Sequence, residues 1–454
     1  RKDDKSISKS SKLGVQPRKP SASRCAQQQE ERMSRTPSQL ESEAPDRTLS
    51  RASQEHYERL AAEADMHLDK LASQAPLKDT SLEYELRRRG VSRREFLKMT
   101  AVMTATMALP PIFDLRIARA AELATRLPVI WQELQSCTGN SMALIRNSNP
   151  GVADLLLDLI SLEYSEVLMA PSGQAAEDQL EAAIAQYRGA YIAVYEGSLP
   201  LADNGNFLTI GPAGHKGPEI VKHISENAAA IIAAGTCSAY GGIPAARPNP
   251  TGAVGIAEYL QSQRINKPVV NLPGCPVSST NIFGTILEYA LFGRLPSLDA
   301  FGRPLWAYGD RIHDKCERRG HFDAGQFVEG WADTEGLKAG LCLYKVGCKG
   351  PMAYNNCGVV RYNDGASWPI MAGHGCIGCS EPNFWDTLTP FEKPLAGRRY
   401  QVFGVDADAD TLGVVALGAA AAGVVVHAGA TMIKSATEKR ADAKGDKPTA
   451  KKEQ

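Results

Sequence analysis

HDKC at 313–316, GLCLYKVGCKGP at 340–351, NNC at 355–357 and HGCIGC at 374–379 lie in one 67-residue stretch. They set His313 beside six of the chain's ten cysteines: Cys316, Cys342, Cys348, Cys357, Cys376 and Cys379. Thiolate-rich sites with an occasional imidazole suit either zinc or iron-sulfur clusters, and spacing separates the two poorly. Here the intervals are 2, 25, 5, 8, 18 and 2 residues, unlike the repeated C-x2-C pairs of zinc modules, and Gly or Pro stands near almost every cysteine. Glycine lets backbone approach a bulky inorganic core and donate N–H bonds to its sulfides. A disulfide framework is the third reading, but the chain is too long and otherwise too poor in cysteine for it. Iron-sulfur clusters are the expectation; a membrane-anchored, zinc-organised binding module without redox activity is the rival.

Around this stretch lies a chain of 454 residues, long enough for two folded domains with appendages. Its 51 basic and 51 acidic side chains cancel, which argues against a nucleic-acid partner. The 40 Gly and 27 Pro suit many tight turns around buried groups. Residues 1–75 are rich in Ser, Gln, Lys, Arg and Glu and are expected to be a disordered extension. The sequence begins at Arg1, with Met33 and Met66 as candidate initiators.

Residues 76–120 read as a leader. SRREFLK at 92–98 precedes the apolar run MTAVMTATMALPPIF and the small-residue site Ala118-Arg119-Ala120. A twin arginine before a modest apolar segment and an A-x-A site is an export signal of the twin-arginine type, which would release a chain starting near Ala121. The alternative is a charged helix start before a buried helix.

From 121 to 300 short apolar runs alternate with helical stretches. PVIWQEL, SEVLMA, AYIAVYEG, AAIIAAGT and KPVVNLPG are candidate strands; QAAEDQLEAAIAQY and PEIVKHISENA have helical periodicity. This predicts an α/β fold, a flavodoxin-like doubly wound parallel sheet, with ligands beyond the carboxyl ends of its strands. Cys137, Cys237 and Cys275 each follow a predicted strand. Residues 301–395 lose periodicity and predict a smaller irregular domain organised by its clusters. Residues 411–433 are 23 uncharged residues, enough to span a bilayer, with Lys434, Lys439 and Arg440 on one flank and Asp406, Asp408 and Asp410 on the other. The alternative is an Ala/Gly-rich helix buried in a soluble core. His427 inside that span is costly in hydrocarbon without a partner, and marks a haem-proximal or helix-contacting position. Residues 434–454 read as a solvated tail.

The motifs H-D-x-C-x-R-R, G-x-C-L-Y-K-x-G-C-K-G-P, N-N-C and A-G-H-G-C-x-G-C-x-E-x-x-F-W-D closely resemble those of the small, electron-transferring subunit of nickel-iron hydrogenases, over about Leu127 to Pro394. The resemblance implies three clusters. Cys137, Cys237 and Cys275 match the site nearest the nickel-iron centre, and Glu196 in YEGSLP matches an acidic position close to it. Cys357, Cys376 and Cys379 match a medial 3Fe-4S set, with Pro369 standing where a fourth ligand would be. His313, Cys316, Cys342 and Cys348 match a distal 4Fe-4S set, whose imidazole removes a negative charge and raises the potential. Trp368, Phe384 and Trp385 are expected to pack around the medial cluster, and His374 to be structural.

One position departs from the family. Its first site normally reads C-x-x-C, and here Asn140 stands in place of the second cysteine. Oxygen ligation by Asn140, as amide or deamidated carboxylate, replacement by another side chain such as Glu196, and a three-iron cluster all answer it; oxygen ligation by Asn140 is the expectation. Gly139 and Gly242 occupy the places of the two extra cysteines of the most oxygen-tolerant members, so no six-cysteine arrangement is expected. The resemblance also implies a nickel-iron large subunit as the partner that cleaves H2, since that subunit's paired C-x-x-C motifs are absent here. A membrane cytochrome b or other quinone-linked acceptor would take the electrons, with the body on the periplasmic side of the inner membrane.

Overall fold

The computed structural model describes residues 51–74, 93–123, 127–146, 160–362, 365–395, 399–402 and 405–443. Among the described residues three α-helices precede the sheet: α1 (Arg51–Gln74), α2 (Arg93–Thr106) and α3 (Asp114–Leu123). The first corrects the sequence expectation, since part of the supposed disordered extension is a 24-residue helix. From Ala61 onward it buries Ala61, Ala64 and Leu68, and Asp65 and Asp69 pair with Arg116 and Arg119 of α3 at 2.6 and 2.7 Å. Low overall hydrophobicity concealed a narrow Ala/Leu stripe, which suffices once a neighbouring helix covers it. The other residues of the extension lie outside the described ones.

Residues Arg93–Thr106 and Asp114–Leu123 are helical too. Met103, Met107, Phe113, Ile117 and Ala120 are buried, and the rings of Phe113 and Phe292 lie 6.2 Å apart.

Five parallel strands follow: β1 (Leu127–Glu133), β2 (Ile160–Ser165), β3 (Ile192–Glu196), β4 (Ala230–Ala234) and β5 (Val269–Leu272), in the order β2-β1-β3-β4-β5. That order is the flavodoxin-like doubly wound one. Three of the five predicted strands contain the observed ones, and PVIWQEL misses β1 only at Leu127. SEVLMA is corrected: β2 ends at Ser165, where that run begins, and Val167 and Leu168 are exposed in the turn beyond it.

Helices α4 (Gly139–Ile145), α5 (Gln174–Gln186), α6 (Gly217–Asn227), α7 (Thr236–Tyr240), α8 (Ile256–Ser262) and α9 (Ser279–Phe292) connect and cover the strands. Ile130, Ala193, Tyr195, Ile231 and Ala233 on one sheet face pack with Leu180 and Ile184 of α5, Val221 and Ile224 of α6 and Tyr259 and Leu260 of α8. Their alternates Val129, Trp131, Val194 and Ile232 are buried as well. Burial of both faces explains why these strands read as continuous apolar runs.

Between α9 and residue 395 the helices among the described residues are short turns; the longest, Arg319–Asp323 and Thr334–Lys338, have five residues each, and a two-stranded antiparallel hairpin, Arg399–Val402 with Val405–Asp408, precedes the last helix. Cys348, Cys357 and Cys376 are members of this region's apolar core, beside Ile312, Val328, Leu343, Val346, Trp368 and Ile370. The last helix, α10 (Ala409–Ala443), includes one stretch long and apolar enough to cross a membrane, Val415–Arg440, none of it buried. Its exposure removes the reading of a helix inside a soluble core.

Candidate iron-sulfur sites

Register brings the first three cysteines together. Glu133 pairs with Glu196 across β1 and β3, Glu196 with Ala234 across β3 and β4, and Ala234 with Leu272 across β4 and β5. These four residues form one row at the carboxyl edge. Cys137, Cys237 and Cys275 each stand three or four residues beyond their own member of that row, so the loops deliver three thiols to one place. Cys137 and Cys275 are exposed and Cys237 is half-buried. Burial first, then the neighbouring Cys275, pushes the Cys237 thiol up to about 11.

Beneath the cysteines lies a polar network that sequence reading caught only in part. Glu196 is fully buried and accepts from the backbone N–H of Asn140 and of Ser141, each at 2.8 Å. It also accepts from the hydroxyls of Ser141 and Ser136, at 2.6 and 3.1 Å. The Ser141 hydroxyl reaches Glu133 Oε1 as well, at 2.9 Å. A hydroxyl has one proton to give, so the two carboxyl groups are held with a proton between them. Burial, then the charge of Glu196, raises Glu133 to about 7, and Glu133 is the natural holder of that proton. Glu133 was missed at the sequence level; its signal was a carboxylate ending an otherwise apolar strand.

Asn140 is not placed as expected. Its Oδ1 accepts from the Val277 N–H at 2.9 Å and its Nδ2 donates to the Ala234 carbonyl at 3.3 Å. Both ends of the amide are committed to backbone.

The second and third sets adjoin. Cys357, Cys376 and Cys379 act on one another electrostatically, and burial is the first cause that lifts each thiol, Cys357 to about 11 and Cys379 to about 12. Cys379 also feels Cys275, and its carbonyl accepts from the Thr236 hydroxyl, which joins this set to the first. Tyr362 Oη lies 3.3 Å from Cys357 Sγ. Cys376 interacts with Cys348, and the Lys349 N–H donates to the Cys376 carbonyl at 2.7 Å, which joins it to the third. There Cys316, Cys342, Cys348 and His313 line one cavity with Arg318, Tyr344 and Pro351. His313 is half-buried and edge-on to Phe322 at 4.5 Å; burial and then Arg319 lower its pKa, which favours the neutral, ligating imidazole.

Thiols that burial keeps protonated become thiolates only against compensating cations, so these packed sets make chemical sense around metal. Backbone donors are already in place: Arg318 N–H to Cys316 Sγ and Gly350 N–H to Cys348 Sγ at 3.4 Å, and Gly378 N–H to Cys376 Sγ at 3.3 Å. Among the described residues no three His, Cys, Asp or Glu side chains close on the spacing of a single metal ion.

Comparison with known proteins agrees. The profile for the C-terminal part of the NiFe/NiFeSe hydrogenase small subunit matches residues 308–392, and that for the NADH ubiquinone oxidoreductase 20 Kd subunit matches 137–289. A quinone-reactive Ni/Fe-hydrogenase small chain from Wolinella succinogenes is 53% identical over 352 residues, 77% of this chain and 98% of its own length. The chain belongs to the nickel-iron hydrogenase small-subunit family. An uptake hydrogenase small subunit from Azotobacter vinelandii is 46% identical, covering 80% of this chain and 97% of its own. Among solved structures, a chain of the Dm. baculatum [NiFeSe]-hydrogenase superposes with a TM-score of 0.56 at 35% identity, covering 60% of this chain and 100% of that one. Membership makes this hydrogenase small subunit part of an oxidoreductase and sets aside the zinc-module alternative.

The remaining sequence-flagged residues sort clearly. Trp368 and Phe384 are buried, as packing residues should be, while Trp385 is 39% exposed. His374 stacks on Trp331 at 5.4 Å, with Nδ1 2.8 Å from the Gly375 carbonyl oxygen, a structural role. Pro369 is exposed, and its carbonyl accepts from the His374 N–H. His427 is exposed on α10.

Proposed function

We propose that this small subunit relays electrons from a nickel-iron large subunit, where H2 is split, to a membrane cytochrome b or other quinone-linked acceptor. The observation that carries the reading is the order of the three ligand sets: Cys137, Cys237 and Cys275 adjoin Cys357, Cys376 and Cys379 through Cys275 and Cys379, and these adjoin His313, Cys316, Cys342 and Cys348 through Cys376 and Cys348. Iron-sulfur clusters held there, with a 3Fe-4S core at the middle set and a 4Fe-4S core at the outer one, would supply one-electron transfer. The protein fixes their order, buries the inner thiolates and donates N–H bonds to the sulfurs.

The large subunit is assigned to the carboxyl edge of the sheet. Met142, Val167, Leu168, Leu201, Phe207 and Ile243 are all exposed in the segments that leave this edge, beside exposed Cys137 and Cys275. Apolar exposure around ligand thiols asks for a covering partner. Helix α10 would anchor the subunit in the bilayer, where His427 faces a haem-bearing partner or a neighbouring helix. The twin-arginine segment at 92–98 would export the folded body to the periplasmic side of the inner membrane. Metal analysis of the purified complex tests the reading. It should give about ten or eleven irons per small subunit, no zinc, and a nickel-bearing partner in the same fraction. A colourless zinc protein, or an iron protein that never co-purifies with nickel, would refute it.

A further inference from the structure

We infer that Asn140 is a crosslink and not a ligand. The site at Cys137, Cys237 and Cys275 then holds its iron-sulfur core by three thiolates alone and leaves the fourth coordination position to a small exogenous donor such as water, hydroxide or an added thiol. This rests on the iron-sulfur reading above and concerns the one place where the chain departs from its family.

The argument is an accounting of the oxygen donors nearby. Asn140 is 7% exposed, and its amide ties the end of β4 to the loop after β5 through Ala234 and Val277. Gly235, at φ 87°, lies so close that a Cβ there would stand 2.5 Å from Asn140 Nδ2. Turning the amide oxygen toward iron would leave the buried Val277 N–H unpaired, the penalty of an unsatisfied buried donor. An amide oxygen, a weak iron ligand beside thiolate, offers little to offset that.

Neither nearby glutamate substitutes. Both oxygens of Glu196 are taken, Oε1 by the Asn140 N–H and the Ser136 hydroxyl, Oε2 by the N–H and hydroxyl of Ser141. Ser136 Oγ in turn accepts the Thr138 N–H at 2.9 Å. Glu133 is tied to Ser141 and keeps its proton near neutrality.

The middle set also has three cysteines, but its situation differs. Cys357 and Cys376 are buried and Cys379 is half-buried, whereas Cys137 and Cys275 are exposed. While the edge is still open, before the large subunit docks, a small donor can reach the first site and not the second. Exchange of one iron should therefore occur at the first site alone: one electron takes an oxidised three-iron core to its neutral level, and one Fe2+ then adds to give a four-iron core of charge 2+.

The experiment is spin counting by electron paramagnetic resonance on the full-length small subunit purified apart from its partner, air-oxidised, before and after incubation with Fe2+ and dithionite and reoxidation with a mild oxidant. The wild type should show about two three-iron spins per small subunit, falling to about one. Asn140→Cys supplies a fourth thiolate and should show about one throughout. Asn140→Ala should count like the wild type while its thermal midpoint drops. A wild type with one spin that Fe2+ leaves unchanged, or a second spin that appears only in Asn140→Ala, would make Asn140 a ligand and overturn the inference. An iron-free subunit would overturn both the inference and the reading beneath it.

Discussion

The sheet region and the cysteine-rich region of this subunit reach a packed interior by opposite means. Around β1–β5 the core consists of aliphatic and aromatic side chains on three covering helices, with no cysteine among them. Beyond α9, three of the ligand cysteines are themselves core residues, and among the described residues no helix exceeds five residues before α10. The first region has enough apolar burial to fold by itself; the second packs the cysteines proposed above as metal ligands into its core, so ligation and folding there would be one event. The cysteines of the sheet region sit instead at the carboxyl edge, outside the core, where they bind without supporting the strands.

The strongest way to break this contrast is Cys376→Ser. Cys376 is buried between the second and third ligand sets and interacts with Cys348, Cys357 and Cys379. Structural metal sites can supply about 10–16 kcal/mol to folding, so loss of one buried ligand should cost the irregular region more than about 5 kcal/mol. Hydrogen exchange on the full chain should show amides of 305–390 unprotected while those of β1, β3 and β4 stay protected. Equal loss in both regions would end the contrast.

Arg303→Met sharpens it at the seam. Arg303 is 3% exposed, pairs with Asp299 at 2.7 Å and Glu381 at 3.1 Å, and donates to the Ser380 carbonyl beside Cys379 at 3.3 Å. Removing the cation leaves two part-buried carboxylates facing each other, which costs about 3–5 kcal/mol. The expected signature is a lower urea midpoint together with faster loss of iron from the middle set. Unchanged iron release would mean that the seam does not hold that set.

What sequence reading could see follows the same division. AYIAVYEG and AAIIAAGT announce β3 and β4 because strands buried on both faces are continuous apolar runs. SEVLMA misled for a related reason: Val167 and Leu168 are apolar but exposed in the turn beyond β2, at the edge proposed above to meet the large subunit, so an apolar run there is not a strand. The cysteines and His313 were legible because soft ligands are rare and their spacing is distinctive. Asn140 was not, since its partners Ala234 and Val277 lie 94 and 137 residues away in sequence. The crosslink exists only once the carboxyl edges of β1, β4 and β5 are in register. Helix α1 was concealed because its stabilising face is three small or aliphatic residues among charges, which count only when α3 answers with Arg116 and Arg119.

The smallest effect tests whether the sheet region is as independent of metal as its core suggests. Glu288 on α9 accepts from Trp306 Nε1 at 2.8 Å, and burial raises its pKa to about 7, opposed by the Trp306 bond and by Arg294. The folded state therefore holds a proton that the unfolded chain has released, and stability falls as pH rises from the ordinary glutamate range to about 7, then levels off. Glu288→Gln keeps an oxygen for the indole N–H and cannot ionise. It should match the wild type near pH 4.5 and exceed it by about 1–3 kcal/mol at pH 8 in urea unfolding of the sheet region. Because the Glu288–Trp306 contact involves no ligand residue, the gain should persist after chelation has removed the iron. A gain that vanished with the metal would show that α9 draws its stability from the clusters, and the two regions would no longer be distinct in what holds them together.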